Sequence, residues 1–277
     1  MNAPRDFYAT LVTAKGGSND AALRAAFAAV DRARFAGPGP WEIFSPLGYI
    51  DTPDADPAYL YQDVVVALAS ERMINSGEPS LHARCLAAVA PKPGERVLHV
   101  GAGTGYYTAI LAHLVGPDGA VTGYEIEEDL ADRAAATLAD LDRVTIRARS
   151  ALDPDLPPSD VIYVNAGATH PPAVWLDALK PGGRLIFPLS GAQGTGIMLL
   201  VTRDGDAHYQ ARIVSGAAFI PCIGACDDAE AAAVTQALMK GGHGGVRSLV
   251  RGDTPDSHAW LAGKGWWLST QPPGGVS

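Results

Sequence analysis

The chain has 277 residues, of which 47% are hydrophobic and 18% charged, so it can bury a substantial core. Its formal net charge of −9 would repel a phosphate backbone, and no basic cluster offsets it, which argues against a nucleic-acid partner. Three cysteines make no disulfide framework and suit a reducing compartment. The N-terminal residues lack an apolar leader core, and the most apolar later stretch is interrupted by glycine and proline. We therefore expect a globular, cytoplasmic protein without membrane contact.

The N-terminal part of the chain predicts helices on either side of an irregular segment. Ser18-Asn19-Asp20 is a helix-capping sequence, and the apolar spacing after it predicts a helix to about Phe35. Residues 41–57 are rich in proline and aromatic residues without a sustained period, which predicts an ordered loop, and a short strand follows at 64–68. A helix is predicted from Pro79 to residue 90. We expect residues 41–75 to form a lid.

From Arg96 onward, strands and helices alternate. The pattern predicts strands at 96–100, 121–125, 144–147, 161–165 and 184–188, with helices at 105–115, 129–141 and 172–179. Such alternation is typical of a doubly wound, mostly parallel Rossmann-like α/β sheet with right-handed crossovers. Two further strands, 197–203 and 209–216, flank Asp204-Gly205-Asp206, which predicts an antiparallel hairpin at the sheet edge.

Three alternate glycines stand between the first of these strands and the helix after it. Glycines are needed where the chain turns sharply and a ligand lies directly on the backbone. A dinucleotide fingerprint has its third glycine one position later, so this spacing favours an adenosine ligand without a diphosphate. A turn without a ligand remains the alternative. The candidate cofactor contacts are Gly101, Ala102, Gly103, Thr104 and Gly105, which we call the glycine loop, and the adjoining Tyr106.

Glu125 ends the second of these strands. A carboxylate placed about twenty residues after a glycine loop can accept hydrogen bonds from both hydroxyls of a ribose. The neighbouring acids Glu127, Glu128 and Asp129 are interpreted as the first turn of the next helix, where negative charge meets the helix dipole. An exposed acid at the strand end is the alternative for Glu125.

The chain resembles the protein-L-isoaspartate (D-aspartate) O-methyltransferase family over roughly residues 23–225. The resemblance rests on an Arg-x-x-Phe stretch, the glycine loop with its following tyrosine, two later strands and a closing Phe-Ile-Pro. These motifs are residues 32–35, 97–109, 160–166, 179–189 and 218–221. The family resemblance implies the fold of class I S-adenosylmethionine-dependent methyltransferases, S-adenosyl-L-methionine as cofactor, and methylation of a carboxylate on a damaged protein or peptide, a protein-repair activity.

The sequence also predicts an organisation in three parts. Residues 1–78 are expected to form an N-terminal lid and substrate segment, and residues 79–226 the cofactor-binding core. Residues 227–277, with an alanine-rich helix and Trp266-Trp267, are expected to form a small C-terminal appendage.

Two cofactor positions depart from the family pattern. His99 stands where the family has an acid that contacts the methionine end of the cofactor, and a neutral imidazole accepts one hydrogen bond but does not match a carboxylate facing an ammonium. Arg149-Ser150-Ala151 stands where the family has Gly-Asp-Gly, so Ser150 replaces the acid that reaches the adenine. The resemblance therefore implies His99 and Ser150 as weaker cofactor contacts.

The substrate segment departs as well. The family's Thr-Ile-Ser-x-Pro, which faces the acceptor carboxylate, falls on residues 75–79, which we call the acceptor segment. Asn75 falls on the threonine and Gly77 on the serine, so Asn75 and Ser76 are the candidate catalytic residues. Ser76 is alternatively the N-cap of the following helix. Hydroxyls restored at 75 and 77 are expected to raise activity on an isoaspartyl peptide.

Other interpretations stay open at this level. The altered acceptor segment favours a methyltransferase for another small acceptor, and His99 with Ser150 favours a non-catalytic binding protein on the same fold. Cys222 and Cys226 lack a second cluster at ligand spacing, so we interpret them as buried apolar thiols and expect no metal. His170 follows a strand at the carboxyl edge of the sheet and is interpreted as exposed or as a substrate contact.

Overall fold

A computed structural model describes residues 3–274 of the chain. It divides into two compact units, one up to residue 150 and one from residue 151. In the part that the structure describes, no helix combines the length and apolar character needed to cross a bilayer. The three-part functional division at residues 78 and 226 remains a prediction.

The first unit begins with helices α1 (Ala3–Lys15), α2 (Ala21–Ala29) and α3 (Ala33–Ala36). The carboxylate of Asp20 accepts the backbone N–H groups of Ala22 and Leu23, so the predicted cap begins α2. The predicted helix to Phe35 is instead interrupted at Val30, where the backbone becomes extended. Helix α1, which the sequence analysis did not predict, packs on α2 through Tyr8 and Phe27, whose ring centroids lie 6.2 Å apart.

The segment between α3 and the next long helix contains two small antiparallel sheets. Strands β1 (Glu42–Ser45) and β2 (Gly48–Asp51) form a hairpin, and β3 (Ala67–Ala69) pairs with β4 (Ile74–Asn75). The loop predicted at 41–57 is therefore partly a hairpin, because Ser45 closes the turn by donating its hydroxyl to the Gly48 carbonyl. The strand predicted at 64–68 begins later, at Ala67.

The rest of the first unit alternates as predicted. Its elements are α4 (Pro79–Val89), β5 (Arg96–Val100), α5 (Tyr106–Val115), β6 (Ala120–Glu125), α6 (Glu128–Thr137) and β7 (Val144–Ala148). Strands β5, β6 and β7 are parallel and pair in that order. Val97 and Leu98 of β5 and Ile110 of α5 are buried in the core, which fixes the strand end where the glycine loop begins.

The second unit contains β8 (Ser159–Val164), α7 (Ala173–Ala178), β9 (Leu179–Ser190), β10 (Thr195–Arg203) and β11 (His208–Ala218). Strands β8 and β9 are parallel, whereas β9, β10 and β11 are antiparallel neighbours. The predicted edge hairpin is thus confirmed as β10 and β11. Strand β9 extends to Ser190, past its predicted end, because Ser190 is paired with Gly196 of β10.

The C-terminal residues are more ordered than the expected helix and tail. After α8 (Asp228–Lys240) come β12 (Ser248–Arg251), β13 (Ala259–Gly263) and β14 (Trp266–Ser269). They continue the antiparallel part of the sheet in the order β11-β12-β14-β13. The fold class is confirmed as an α/β fold with parallel strands and an antiparallel edge, and that edge is wider than predicted.

Candidate functional site

The glycine loop has a left-handed backbone at each of its glycines. The φ angles are 70° at Gly101, 55° at Gly103 and 95° at Gly105, values that favour glycine over any residue with a side chain. The N–H groups of Gly101 and Ala102 both donate to the Tyr124 carbonyl, at 2.9 and 3.0 Å. Because these donors already have partners within the protein, the loop does not offer them to a diphosphate. The choice of ligand drawn from the glycine spacing remains a prediction.

Glu125 lies beside this loop at the carboxyl end of β6. Its Oε2 accepts the Gly103 N–H at 2.7 Å, and its Oε1 accepts the Glu127 N–H at 3.1 Å. Burial raises the pKa of Glu125 above its ordinary value, and backbone N–H groups of Glu127, Gly103 and Ile126 oppose that shift. Each carboxylate oxygen has a second lone pair, so the group can accept further hydrogen bonds from a ligand. This arrangement fits a ribose, and the contact itself remains a prediction.

Two of the predicted cofactor-contact residues, Gly105 and Tyr106, pack against other elements of the protein. A Cβ atom placed on Gly105 would lie 2.7 Å from the Leu138 side chain, so this glycine permits close approach of the end of α6. The Tyr106 ring is buried, and its hydroxyl lies 3.0 Å from that of Tyr8 in α1. Ligand contacts at these two positions would therefore have to come from the backbone.

Ala102 and Thr104 also have buried side chains. Their assignment as cofactor contacts, like that of Gly105 and Tyr106, remains a prediction.

His99 is a fully buried neutral histidine. Its side chain is 0% exposed, and its Nδ1 lies 2.8 Å from Thr108 Oγ1 on α5. Burial lowers the pKa of His99 to about 3, so the imidazole is neutral near pH 7. The hydrogen bond ties His99 to the helix that follows the glycine loop. The contact of His99 with the methionine end of a cofactor remains a prediction.

Ser150 follows the end of β7 and is half-buried. The guanidinium of the preceding Arg149 lies 5.6 Å from the centre of the Tyr124 ring, a cation–π contact. Ser150 remains the predicted adenine contact.

His82, which the sequence analysis did not select, is a second buried neutral histidine. It stacks on Tyr107 with ring centroids 3.7 Å apart and an interplanar angle of 21°. Burial, followed by the nearby His99, lowers the pKa of His82 to about 3. Nothing in the sequence distinguishes this residue from an ordinary helix position, because its partners come from other elements.

The acceptor segment is fastened by hydrogen bonds. Asn75 Oδ1 accepts the Gly77 N–H at 3.0 Å. Ser76 Oγ accepts Arg32 Nη2 at 3.0 Å and the Val66 N–H at 3.1 Å, and donates to the Gly77 carbonyl at 3.3 Å. These hydrogen bonds fix the positions of Asn75 and Ser76, and their catalytic roles remain predictions.

The interpretation of Ser76 as a helix N-cap is wrong. Glu78 occupies the N-cap position of α4, and Ser76 precedes it. The Ser80 N–H at the start of α4 is satisfied from a distant residue, since it donates to Asp63 Oδ1 at 2.8 Å. Asp63 also pairs with Lys15 of α1. A residue of the preceding segment thus caps the helix.

Gly77 does not accommodate a hydroxyl-bearing side chain in this structure. Its φ of +68° is left-handed, and a Cβ atom placed there would overlap His82 Nε2. This overlap argues against the expectation that a serine at 77 would restore a hydroxyl donor, which remains a prediction.

The β3–β4 hairpin lies against the glycine loop. Leu68 Cδ1 would be 3.3 Å from a Cβ atom placed on Gly103, and the Leu68 carbonyl accepts Arg133 Nη1 of α6 at 3.4 Å. A side chain at 103 would meet Leu68, so Gly103 keeps the hairpin and loop in close approach.

Arg72, at the tip of this hairpin, pairs with the acidic start of α6. It donates to both carboxylate oxygens of Asp129, at 2.9 and 2.7 Å, and to Glu127. Glu128 and Asp129 form the first turn of α6 as predicted, and two acids of this region also hold the hairpin. The wider lid at 41–75 remains a prediction.

Three further candidates lie in the second unit. Cys222 is buried as expected, but Cys226 is exposed, so the interpretation of both as buried thiols is wrong for Cys226. His170 Nδ1 lies 3.3 Å from Thr169 Oγ1, and the residue is half-buried. Among residues 3–274, no group of three or more His, Cys, Asp or Glu side chains is arranged to hold a metal ion.

A left-handed glycine turn after a parallel strand, with a carboxylate at the end of the next strand, is typical of Rossmann-like nucleoside-binding folds, which include the class I S-adenosylmethionine-dependent methyltransferases. The sheet with its antiparallel edge agrees with that class. The family model of protein-L-isoaspartate(D-aspartate) O-methyltransferase matches residues 11–227. The chain belongs to this family.

Individual relatives agree with the family model. A protein-L-isoaspartate O-methyltransferase of Methanopyrus kandleri is 40% identical over 139 residues, which are 48% of this chain and 61% of that protein. One from Brucella anthropi is 32% identical over 170 residues, covering 60% of this chain and 76% of that protein. The chain thus spans less than two thirds of the length of the Methanopyrus relative.

Solved structures show the same architecture. A protein-L-isoaspartate O-methyltransferase structure superposes with a TM-score of 0.66 at 25% identity, covering 81% of this chain and 66% of that one. A Plasmodium falciparum structure in complex with S-adenosyl-L-homocysteine has a TM-score of 0.64 at 20% identity, covering 79% and 97%. The second likeness shows the fold alone.

Proposed function

We propose that this chain is an S-adenosylmethionine-dependent O-methyltransferase that acts on a carboxylate of a protein or peptide. The observation that carries the proposal is the Glu125 carboxylate, buried beside Gly103 at the turn after β5. Family membership over residues 11–227 supports the same activity. The relatives are protein-L-isoaspartate O-methyltransferases by name, so an isoaspartyl residue is the proposed acceptor.

The proposed cofactor site runs along the glycine loop. When bound, S-adenosylmethionine supplies an electrophilic methyl group on a sulfonium. Glu125 would accept the ribose hydroxyls, and His99 and Ser150 are the proposed partners of the amino and adenine ends. Both are neutral, and a lost charge-assisted bond costs about 1–3 kcal/mol, so we expect weaker binding than in a site with two acids.

The chain's own task is positioning. A carboxylate acceptor is already ionised at neutral pH, so the reaction needs no general base. The acceptor segment would orient that carboxylate, and the β3–β4 hairpin against Gly103 would exclude water. A cytoplasmic location forms part of the proposal, because all three cysteines are free thiols.

A second candidate is a methyltransferase for another acceptor. The overlap between His82 and any side chain at Gly77 favours it, because the donor that the family resemblance implies at position 77 has no room here. A non-catalytic binding protein is the third candidate, favoured by the neutral His99.

Two measurements on one preparation separate these candidates. Calorimetric titration with S-adenosyl-L-homocysteine tests the cofactor site, and transfer of labelled methyl to an isoaspartyl peptide, with the matched aspartyl peptide as control, tests the acceptor. Binding with transfer selective for the isoaspartyl peptide supports the proposal. Binding without transfer to either peptide favours another acceptor or a binding protein, and absence of binding contradicts the cofactor site.

A further inference from the structure

Arg32 is a buried cation that the proposed function does not yet use. It precedes α3 and is only 2% exposed. Its guanidinium donates to the backbone carbonyls of Leu60, Gln62 and Val64 at 2.9, 3.1 and 2.6 Å, and to Ser76 Oγ at 3.0 Å. All four of these acceptors are neutral. The guanidinium also lies 5.9 Å from the centre of the Tyr8 ring and 5.8 Å from that of Tyr106, and these rings with the nearby Asp63 carboxylate offset the cost of burying the charge. One donor of this buried cation goes to a side chain of the acceptor segment, Ser76.

The hydrogen bonds of Ser76 leave its hydroxyl hydrogen as the part that can change its partner. A hydroxyl has one hydrogen and two lone pairs. Both lone pairs face donors, Arg32 Nη2 and the Val66 N–H, whereas the hydrogen meets only the Gly77 carbonyl at the long distance of 3.3 Å. A hydroxyl that accepts from a cation becomes a stronger donor, because hydrogen bonds in series polarise one another.

The position of Ser76 does not depend on Arg32 alone. The Ser76 N–H donates to the Val66 carbonyl at 2.8 Å, and the Val66 N–H donates back to Ser76 Oγ. This pair holds the serine beside Val66 when the guanidinium is altered. The charge of Arg32 can therefore be tested separately from the placement of Ser76.

We propose that Arg32 is a positioning residue that polarises the Ser76 hydroxyl for a hydrogen bond to the acceptor carboxylate. The inference rests on the proposed function. The positive charge acts on the acceptor through the serine and replaces, in part, the donor that Gly77 lacks. The serine hydrogen leaves the long bond to the Gly77 carbonyl when an acceptor oxygen arrives.

The test is a double-mutant cycle on the full chain with saturating S-adenosylmethionine. Arg32→Gln removes the charge and keeps an amide donor, Arg32→Lys keeps the charge, and Ser76→Ala removes the hydroxyl. The measurements are kcat/KM on an isoaspartyl peptide, affinity for S-adenosyl-L-homocysteine, and melting temperature. Arg34→Lys is the matched control, since Arg34 is exposed and bonds to Thr137 on α6.

We expect Ser76→Ala and Arg32→Gln each to lower kcat/KM about tenfold or more, the size of one charge-assisted bond. In the Ser76→Ala background, Arg32→Gln should cost almost nothing further. Arg32→Lys should retain more activity than Arg32→Gln even where both lower the melting temperature equally. Cofactor affinity should stay the same throughout.

Equal losses from Arg32→Gln with and without the Ser76 hydroxyl would overturn the inference, as would activity that simply follows melting temperature. If Arg32→Gln does not fold, the same cycle is run with Arg32→Met, which also removes the charge. An unaltered chain that binds S-adenosylmethionine but methylates no isoaspartyl peptide would refute the proposed function itself, and this inference with it.

Discussion

The glycine loop and the acceptor segment are held in place by different parts of the chain. The loop is tied to the end of the adjacent strand, through Tyr124 and Glu125. The acceptor segment is held by Arg32, which lies 44 residues earlier in the chain, and the ring of His82 leaves no room for a side chain at Gly77. Changes in distant residues should therefore alter the acceptor side while leaving the cofactor side intact.

The largest expected effect comes from acid, through the buried histidines. His82 and His99 have pKa values lowered to about 3, against about 6.5 in an unfolded chain. Between pH 6.5 and pH 3 the unfolded state therefore binds up to two more protons than the folded state. The contribution of these two histidines to the free energy of unfolding is fully present above pH 6.5 and is lost as the pH falls toward 3. Urea titrations across that range should show the loss.

His82→Phe should make this acid dependence shallower by up to one proton, because Phe can keep the stack on Tyr107 without titrating. His208→Phe is the control, since His208 is an exposed histidine. An unchanged slope in the His82 variant would show that His82 is not neutral in the folded protein.

The next effect is steric and belongs to the acceptor segment. Gly77→Ser should lower the free energy of unfolding by about 1–2 kcal/mol for the left-handed backbone and about 1–3 kcal/mol for overlap with His82. Gly94→Ser isolates the first contribution, because Gly94 has a φ of +82° with open space around it. Equal losses in the two variants would mean that His82 moves aside freely.

On the cofactor side, Glu125→Ala should weaken S-adenosyl-L-homocysteine binding about ten- to hundredfold, for a lost contribution of about 1–3 kcal/mol. Glu128→Ala, an exposed acid in the first turn of α6, is the control. A 2′-deoxyadenosyl analogue should lose most of its sensitivity to Glu125→Ala. Equal losses for both ligands would argue against a ribose contact.

The smallest expected effect concerns the hairpin between the two regions. Arg72→Ala should speed dissociation of S-adenosyl-L-homocysteine, within about fivefold, because exposed ion pairs hold weakly and are screened by salt. The effect should vanish at high ionic strength. Arg24→Ala, an exposed arginine on α2, should leave the rate unchanged. A salt-independent effect of Arg72→Ala would exclude an electrostatic origin.

The sequence predicted what depends on local backbone chemistry. Gly101, Gly103 and Gly105 have left-handed φ values, which glycine adopts readily, so their residue type predicts the turn. Strand β5 is predicted by its apolar run. The sequence did not predict contacts made across long separations. His82 meets Gly77 only after folding, and the C-terminal strands β12–β14 are short and form by pairing with β11 and each other.

The acceptor segment shows the same limit in a single residue. Serine is a preferred helix N-cap residue, so the sequence favours that role for Ser76. The fold shows instead that Asp63 accepts the N–H of Ser80 at the start of α4, while Arg32 binds Ser76. The N-cap preference of serine predicted a local role for Ser76, whose partners lie elsewhere in the chain.

The cap that Asp63 gives to α4 provides a spectroscopic reporter. The Ser80 amide hydrogen is protected by a carboxylate that belongs to a segment outside the helix. Its exchange with solvent deuterium therefore measures how often residues 60–66 leave α4, whereas amides in the middle of α4 measure unfolding of the helix itself. If ligand binding closes that segment, Ser80 exchange should slow with S-adenosyl-L-homocysteine while the helix interior is unchanged. One amide thus reports the opening of residues 60–66 in the folded protein.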